Sequence, residues 1–208
     1  MIIRGIKKIG YNIVRSFPPS IRSPIYHLAR NFGNYCTKMT GRWCGNAVPA
    51  YWFRESVNFG DLLTPALLKY YGFSPYFSDS PLQGKGETKD MVIVGSILGI
   101  IHPEFRGIIL GSGSMYDKPR ELPHALFLAV RGELTKKLYQ CPDSVVLGDP
   151  GLLADRLLMP SISKKHRLGI VLHQSELDAN LWKGKFDPEA KIIDSRRYPG
   201  DVLRDIAE

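Results

Sequence analysis

The sequence predicts an α/β fold built on a parallel sheet. Three observations carry this. Short, nearly continuous apolar runs alternate with stretches of helical character. Each apolar run ends in a corner of glycine, serine, aspartate or arginine. A polar, basic break at residues 160–167 is followed by a restart of the same pattern. The expected organisation is a basic arm (1–46), a Rossmann-like domain (47–159), a linker (160–167) and the incomplete start of a second α/β domain (168–208).

The arm is set apart by its charge. The first 54 residues hold nine Lys or Arg and no carboxylate before Glu55. The chain carries +8 overall, so the remaining residues sum to −1 (+8 less +9). Ile2, Ile6, Ile9, Ile13 and Phe17 recur at helical spacing, with Arg4, Lys7, Lys8 and Arg15 between them. Two readings fit residues 2–17. One is a helix on an anionic membrane surface. The other is a short helix or loose arm packed on the body, and Gly5 and Gly10 weaken any helix there. Residues 18–46, rich in Pro, Ser, Gly and Asn, read as irregular.

The strands follow in order. AVPAYWF (47–53) reads as the first strand, and LLTPALLKYYG as a helix stopped by Gly72. MVIVGSIL (91–98) is the second, and GIILGSGSM (107–115) the third, running into a glycine loop. ALFLAVRG (125–132) is the fourth, followed by the helix ELTKKLYQ. SVVLGDPGLLADRLL (144–158) supplies a fifth strand, a corner and a helix. Beyond the linker, LGIVLHQSE (168–176) and KIIDSR (191–196) read as two more strands, and DVLRDIAE begins a helix. Two strands cannot bury both faces of a parallel sheet, so this portion reads as unfinished.

Several classes are excluded. Lys and Arg interrupt every candidate apolar core of a signal peptide. No apolar run reaches the roughly 20 residues of a spanning helix. The three cysteines are odd in number and form no CxxC pair, which favours a reduced, cytoplasmic location, at the inner membrane face if the arm binds lipid. No ladder of aromatic and basic residues continues into the fold, so nucleic acid is not an expected partner. No metal constellation is visible.

In an open α/β sheet, ligands bind beyond the carboxyl ends of the strands. The unusual residues fall there: Asn58, Gly60 and Asp61; Gly95 and Ser96; Gly111, Ser112, Gly113 and Ser114; Arg131; and Asp149. Each admits a structural role as well. The GSGS loop is either a turn needing positive φ or a set of N–H groups for an anion. Tyr116 breaks a GxGxxG pattern, so no dinucleotide site is expected. Arg131 is a surface arginine, a partner of Glu133, or a bidentate grip on phosphate or carboxylate. Asp149 caps the helix that begins at Pro150, or serves the site. If Asp61 caps its helix, Pro65 falls at the fourth helical position, where the missing N–H costs a bond. If Thr64 caps, Pro65 takes the preferred first position and Asp61 is left free in the loop, which favours a site role. His173 ends the run LGIVL, either facing an interdomain cleft as acid or base or bonded in a turn. The other histidines lie in the arm, in loops or in the linker.

The motifs NFGD (58–61), VGSIL (94–98), LGSGSM (110–115), AVRGELT (129–135), LGDPGLL (147–153) and GIVLHQ (169–174) occur in that order. Together the chain resembles the polysaccharide pyruvyl transferase family. The resemblance implies transfer of pyruvate from phosphoenolpyruvate to a sugar of a cell-surface or exopolysaccharide repeat unit, as a ketal. It implies the first half of a GT-B-like two-domain architecture, no cofactor beyond phosphoenolpyruvate as co-substrate, and a glycan or lipid-linked oligosaccharide acceptor. By this resemblance Arg131, the GSGS loop and Gly95–Ser96 hold the donor, and His173 and Asp61 do acid–base work. Asn58 and Asp61 would order the first loop or meet a sugar hydroxyl. A further functional histidine of the family lies in a later segment that this chain does not reach, so truncation in the second domain is expected. The competing readings are a GT-B glycosyltransferase using a nucleotide sugar, and an inactive remnant or membrane-surface scaffold.

Overall fold

A computed structural model describes residues 19–55, 57–84, 89–118, 121–158, 162–179, 182 and 184–208. The expected helix at 2–17 lies outside them. The chain forms an α/β fold with a six-stranded, wholly parallel sheet.

The strands are β1 (Ala47–Tyr51), β2 (Ser74–Phe77), β3 (Met91–Val92), β4 (Ile108–Leu110), β5 (Leu126–Val130) and β6 (Val146–Leu147). Their spatial order is β2-β1-β3-β4-β5-β6. The chain adds β2 on one side of β1, then returns to build β3 to β6 on the other. The direction of winding therefore reverses between β1 and β3, where open α/β sheets form a crevice.

Alternation across the strands loads both faces. Tyr51, Val92, Ile109 and Val130 join Leu98, Ile101 and Phe105 in one apolar cluster. Ala50, Trp52, Ile93 and Val94 join Leu63, Leu67, Leu68 and Ala154 in the other. Helix α2 (Phe59–Tyr70) supplies those leucines and, with the 3-10 helix Pro150–Leu157, covers the second face. That second segment was expected as an α-helix. Helices α3 (Ser80–Gln83) and α4 (Glu133–Leu138) are short connections.

The structure corrects the expected irregular arm. From Pro19 to Trp43 the chain is one helix, α1, packed on β1 and β2. Its local propensity is poor, and packing on the sheet edge stabilises it instead. Asn34 takes the place of a neighbouring strand: its Nδ2 donates to the Phe77 carbonyl (3.1 Å) and its Oδ1 accepts the Phe77 N–H. Gly41 permits close approach, since a Cβ there would lie 2.6 Å from Ser74 Cβ.

Strand β2 was not expected, because SPYF is short and carries Pro75. A proline is tolerated on an edge strand. Pro49 survives in β1 for a related reason: β3 pairs with β1 only from Ala50 onward. The expected strand 91–98 shrinks to two residues, because Gly95 turns the chain with φ of +113°.

A separate two-stranded parallel sheet follows, β7 (Gly169–Leu172) beside β8 (Lys191–Asp194), with α5 (Gln174–Ala179) between them and α6 (Pro199–Ala207) after. Helix α6 packs on α2 and on the 3-10 helix Pro150–Leu157. Within the expected linker, the Lys165 Nζ pairs with Glu208 at 2.7 Å, so this stretch is tied to the end of α6.

Asn34→Ala should remove the substitute strand at the sheet edge. The expected loss is about 1–2 kcal/mol in urea unfolding. Unchanged stability would show that this pair does not hold α1.

Candidate functional site

The corner at residues 58–61 is a helix start. Neither Asp61 nor Thr64 caps α2. Asn58 does: its Oδ1 accepts the Gly60 N–H at 2.9 Å. Helical geometry thus begins before Asp61, and Pro65 lies inside the helix. Its missing N–H falls in an interior turn, at the Asp61 carbonyl. Thr64 is fully buried, and its hydroxyl accepts the Val94 N–H at 3.2 Å, which fastens α2 to the end of β3.

Asp61 is therefore a first-turn residue with a free side chain. Among the described residues its carboxylate has no hydrogen bond or ion pair. Burial pushes its pKa up from 3.8 to about 6. The helix N-terminus favours the anion by about 0.3–1 kcal/mol, and desolvation outweighs it. The Asp61 charge also reaches Tyr51 at the end of β1. Its phenol is raised to about 12 by burial, then by the charges of Glu55 and Asp61. A Cβ on Gly95 would lie 3.8 Å from Asp61 Oδ1, so the carboxylate sits over the Gly95 turn.

The Gly95 carbonyl joins the next two strand ends. It accepts the Gly113 N–H at 3.0 Å and the Ser112 hydroxyl at 2.8 Å. The Gly111 N–H donates to Ala129 at 2.7 Å. Two N–H groups of the GSGS loop, those of Gly111 and Gly113, are thus bonded within the protein, and the loop forms a packed junction between strand ends. Gly111, at φ +93°, is needed for contact: a Cβ would lie 2.1 Å from Pro150 Cδ. The Ser114 hydroxyl donates to the Tyr116 carbonyl at 2.9 Å and stays within its own turn.

Arg131 lies on this junction. Its Nη1 donates to Ser96 Oγ at 2.7 Å. Its guanidinium rests against Gly113, where a Cβ would lie 2.6–2.7 Å from Nη2, Cζ and Nε. Among the described residues no carboxylate pairs with it, Glu133 included. Asp61 and Arg131 therefore border adjacent residues, Gly95 and Ser96 respectively.

Two expected residues have structural partners. Asp149 caps the 3-10 helix, accepting the Gly151 N–H at 2.8 Å. His173 is exposed, and its Nδ1 shares a hydrogen bond with Ser175 Oγ at 2.7 Å, an ordinary turn contact rather than a contact with the other rim residues. The sequence reading missed Ser195. Its hydroxyl donates to the Leu172 carbonyl at 2.7 Å, and its own carbonyl accepts the Phe59 N–H at 2.9 Å. Through it, the ends of β7 and β8 are bonded to the start of α2. A small polar residue directly after the run KIID was the available signal.

The rim thus offers a cation free of carboxylate partners, a carboxylate able to hold a proton near neutral pH, and hydroxyl and amide groups between them. That set can grip an anion and move a proton. Among the described residues no three His, Cys, Asp or Glu gather as metal ligands. No family model, curated protein or solved structure matches this chain.

The raised Asp61 pKa makes a prediction with a definite sign. The folded state holds the proton more tightly than the unfolded chain, so this stabilisation is complete below about pH 4 and is lost as pH rises through about 6. The gap from 3.8 to about 6 corresponds to about 3 kcal/mol, and solvent access to a half-buried group reduces this to about 1–2 kcal/mol. Asp61→Asn should be more stable than the parent by that amount at pH 8 and equal to it at pH 4, in urea titrations at both pH values. An equal difference at both would contradict the assignment.

Proposed function

We propose that the rim is the donor site of a transferase that moves the pyruvyl group of phosphoenolpyruvate onto a sugar of a polysaccharide repeat unit. The observation that carries this is Arg131, seated on Gly113 and Ser96 with no carboxylate partner among the described residues. A guanidinium held in this way suits a bidentate oxyanion. Phosphoenolpyruvate offers two, a phosphate and a carboxylate. The order of NFGD, LGSGSM, AVRGELT and LGDPGLL, with its resemblance to polysaccharide pyruvyl transferases, supports the same donor.

The chemistry needs one proton in and two out. The methylene carbon of the donor gains a proton and becomes a methyl. The central carbon bonds in turn to two sugar oxygens, and its bond to the phosphate oxygen breaks. Of the two hydroxyl protons, one balances the proton given to carbon and the other leaves with phosphate. Asp61, with a pKa of about 6, is the rim group suited to that exchange. Arg131 would steady the phosphate as charge develops on the leaving oxygen. In this reading the β7–β8 unit begins the facing wall of a GT-B-like cleft, with His173 as a second acid–base candidate.

Arg131→Ala should weaken phosphoenolpyruvate binding about 10- to 150-fold by calorimetry, the range for a lost charge-assisted contact. Gly113→Ala should weaken it as well, by displacing the guanidinium, while changing stability by less than about 1 kcal/mol because an arginine head can swing aside. Undiminished affinity in Arg131→Ala would sink the assignment. Binding of a nucleotide sugar but not phosphoenolpyruvate would replace it with the glycosyltransferase reading.

A further inference from the structure

The outward face of α1 has no role in the rim. Leu28, Phe32, Tyr35, Met39 and Trp43 follow one another at steps of four, three, four and four residues. They fall within an arc of about 80° at 100° per residue. All five are exposed, at 73%, 68%, 60%, 48% and 92%. A row of five large apolar side chains along one helix in open solvent is not the single scattered residue that surfaces normally carry.

We propose that this face docks on an anionic phospholipid bilayer. Charge decides the occupant. Residues 19–54 contain five Lys or Arg and no Asp or Glu. Neither β1 nor β2, on which α1 packs, contains a carboxylate. Arg42 is exposed beside the stripe. A second copy docked through the same stripe would bring two acid-free cationic helices together, with no opposite charge at the seam. A lipid surface supplies that charge. Phe, Tyr and Trp suit the boundary between acyl chains and headgroups. The opposite side of the helix is fixed by Asn34 and Gly41, so the stripe is presented already ordered. No helix among the described residues is long and apolar enough to cross a membrane, so the contact is peripheral.

The test is flotation of the full chain with phosphatidylcholine vesicles, with and without phosphatidylglycerol. The expected result is co-flotation at least about tenfold stronger with the anionic vesicles, and weaker in high salt. Phe32→Ser with Trp43→Ser should lower that partitioning at least about tenfold, with unfolding midpoint and phosphoenolpyruvate binding unchanged. Trp43 emission should shift to shorter wavelength on vesicle addition, and Trp43→Phe should remove the shift. Vesicle binding undiminished in the double variant would place the contact elsewhere, residues 2–17 included, and overturn the proposal. So would equal binding to neutral vesicles, or a wild-type dimer that the double variant dissolves without any vesicle binding.

Discussion

The rim depends on one carbonyl. The strands of the main sheet are two to five residues long, so the ladder bonds between them are few. Loops beyond such short strands need another anchor. Gly95 provides it by accepting two donors, the Gly113 amide and the Ser112 hydroxyl. The Arg131 N–H then bonds to the Ser112 carbonyl, and the Leu98 N–H to that of Gly113. Three strand ends are tied in this way to one buried network, and Ser112 is fully buried within it. A network of this kind holds only if each member is satisfied. Ser112 is therefore satisfied inside this network, whereas the Arg131 side chain bonds to Ser96 and has no carboxylate partner among the described residues.

Much of this was legible as position and less as role. Apolar runs ending in small residues located β1, β4 and β5 and the rim beyond them. What escaped were features set by contacts across the sheet. Helix α1 carries glycines, serines and asparagines that lower its intrinsic propensity, and its packing on β1 and β2 stabilises it instead. The strand SPYF lacks an apolar run, yet pairs with β1 along four residues. The α2 boundary lies earlier than the sequence suggests because Asn58, a candidate site residue, is its cap. The glycines 111 and 113 look alike in sequence. One makes room for Pro150 and the other for a guanidinium, a difference only the third dimension contains.

The small β7–β8 sheet has a precise attachment. Helix α6 packs on α2 and the 3-10 helix, and Ser195 bonds both to Leu172 and to Phe59. Two short strands could not persist alone, so this contact is the physical reason they form. It also brings the tips of β7 and β8 to the first turn of α2, one residue from Gly60 and two from Asp61. The same helix therefore serves the sheet through Leu63, Leu67 and Leu68, the rim through Asp61, and the neighbouring unit through the Phe59 amide.

One acid–base pairing in this chain shows by contrast why Asp61 and Arg131 stand out. Asp194 and Arg196 bond through two parallel contacts of 2.9 Å, and the guanidinium holds the carboxylate below its ordinary pKa. That is what a structural ion pair does to an acid. Asp61 and Arg131 border the same loop, yet Asp61 titrates upward, with burial as the cause and no cation opposing it. The arginine bonds to a serine hydroxyl instead. A fold seeking stability alone would gain by letting the two meet, or by replacing Asp61 with a neutral residue. Their separation leaves one group ready for an anion and the other for a proton. Those two capacities are lost together as soon as the charges neutralise each other.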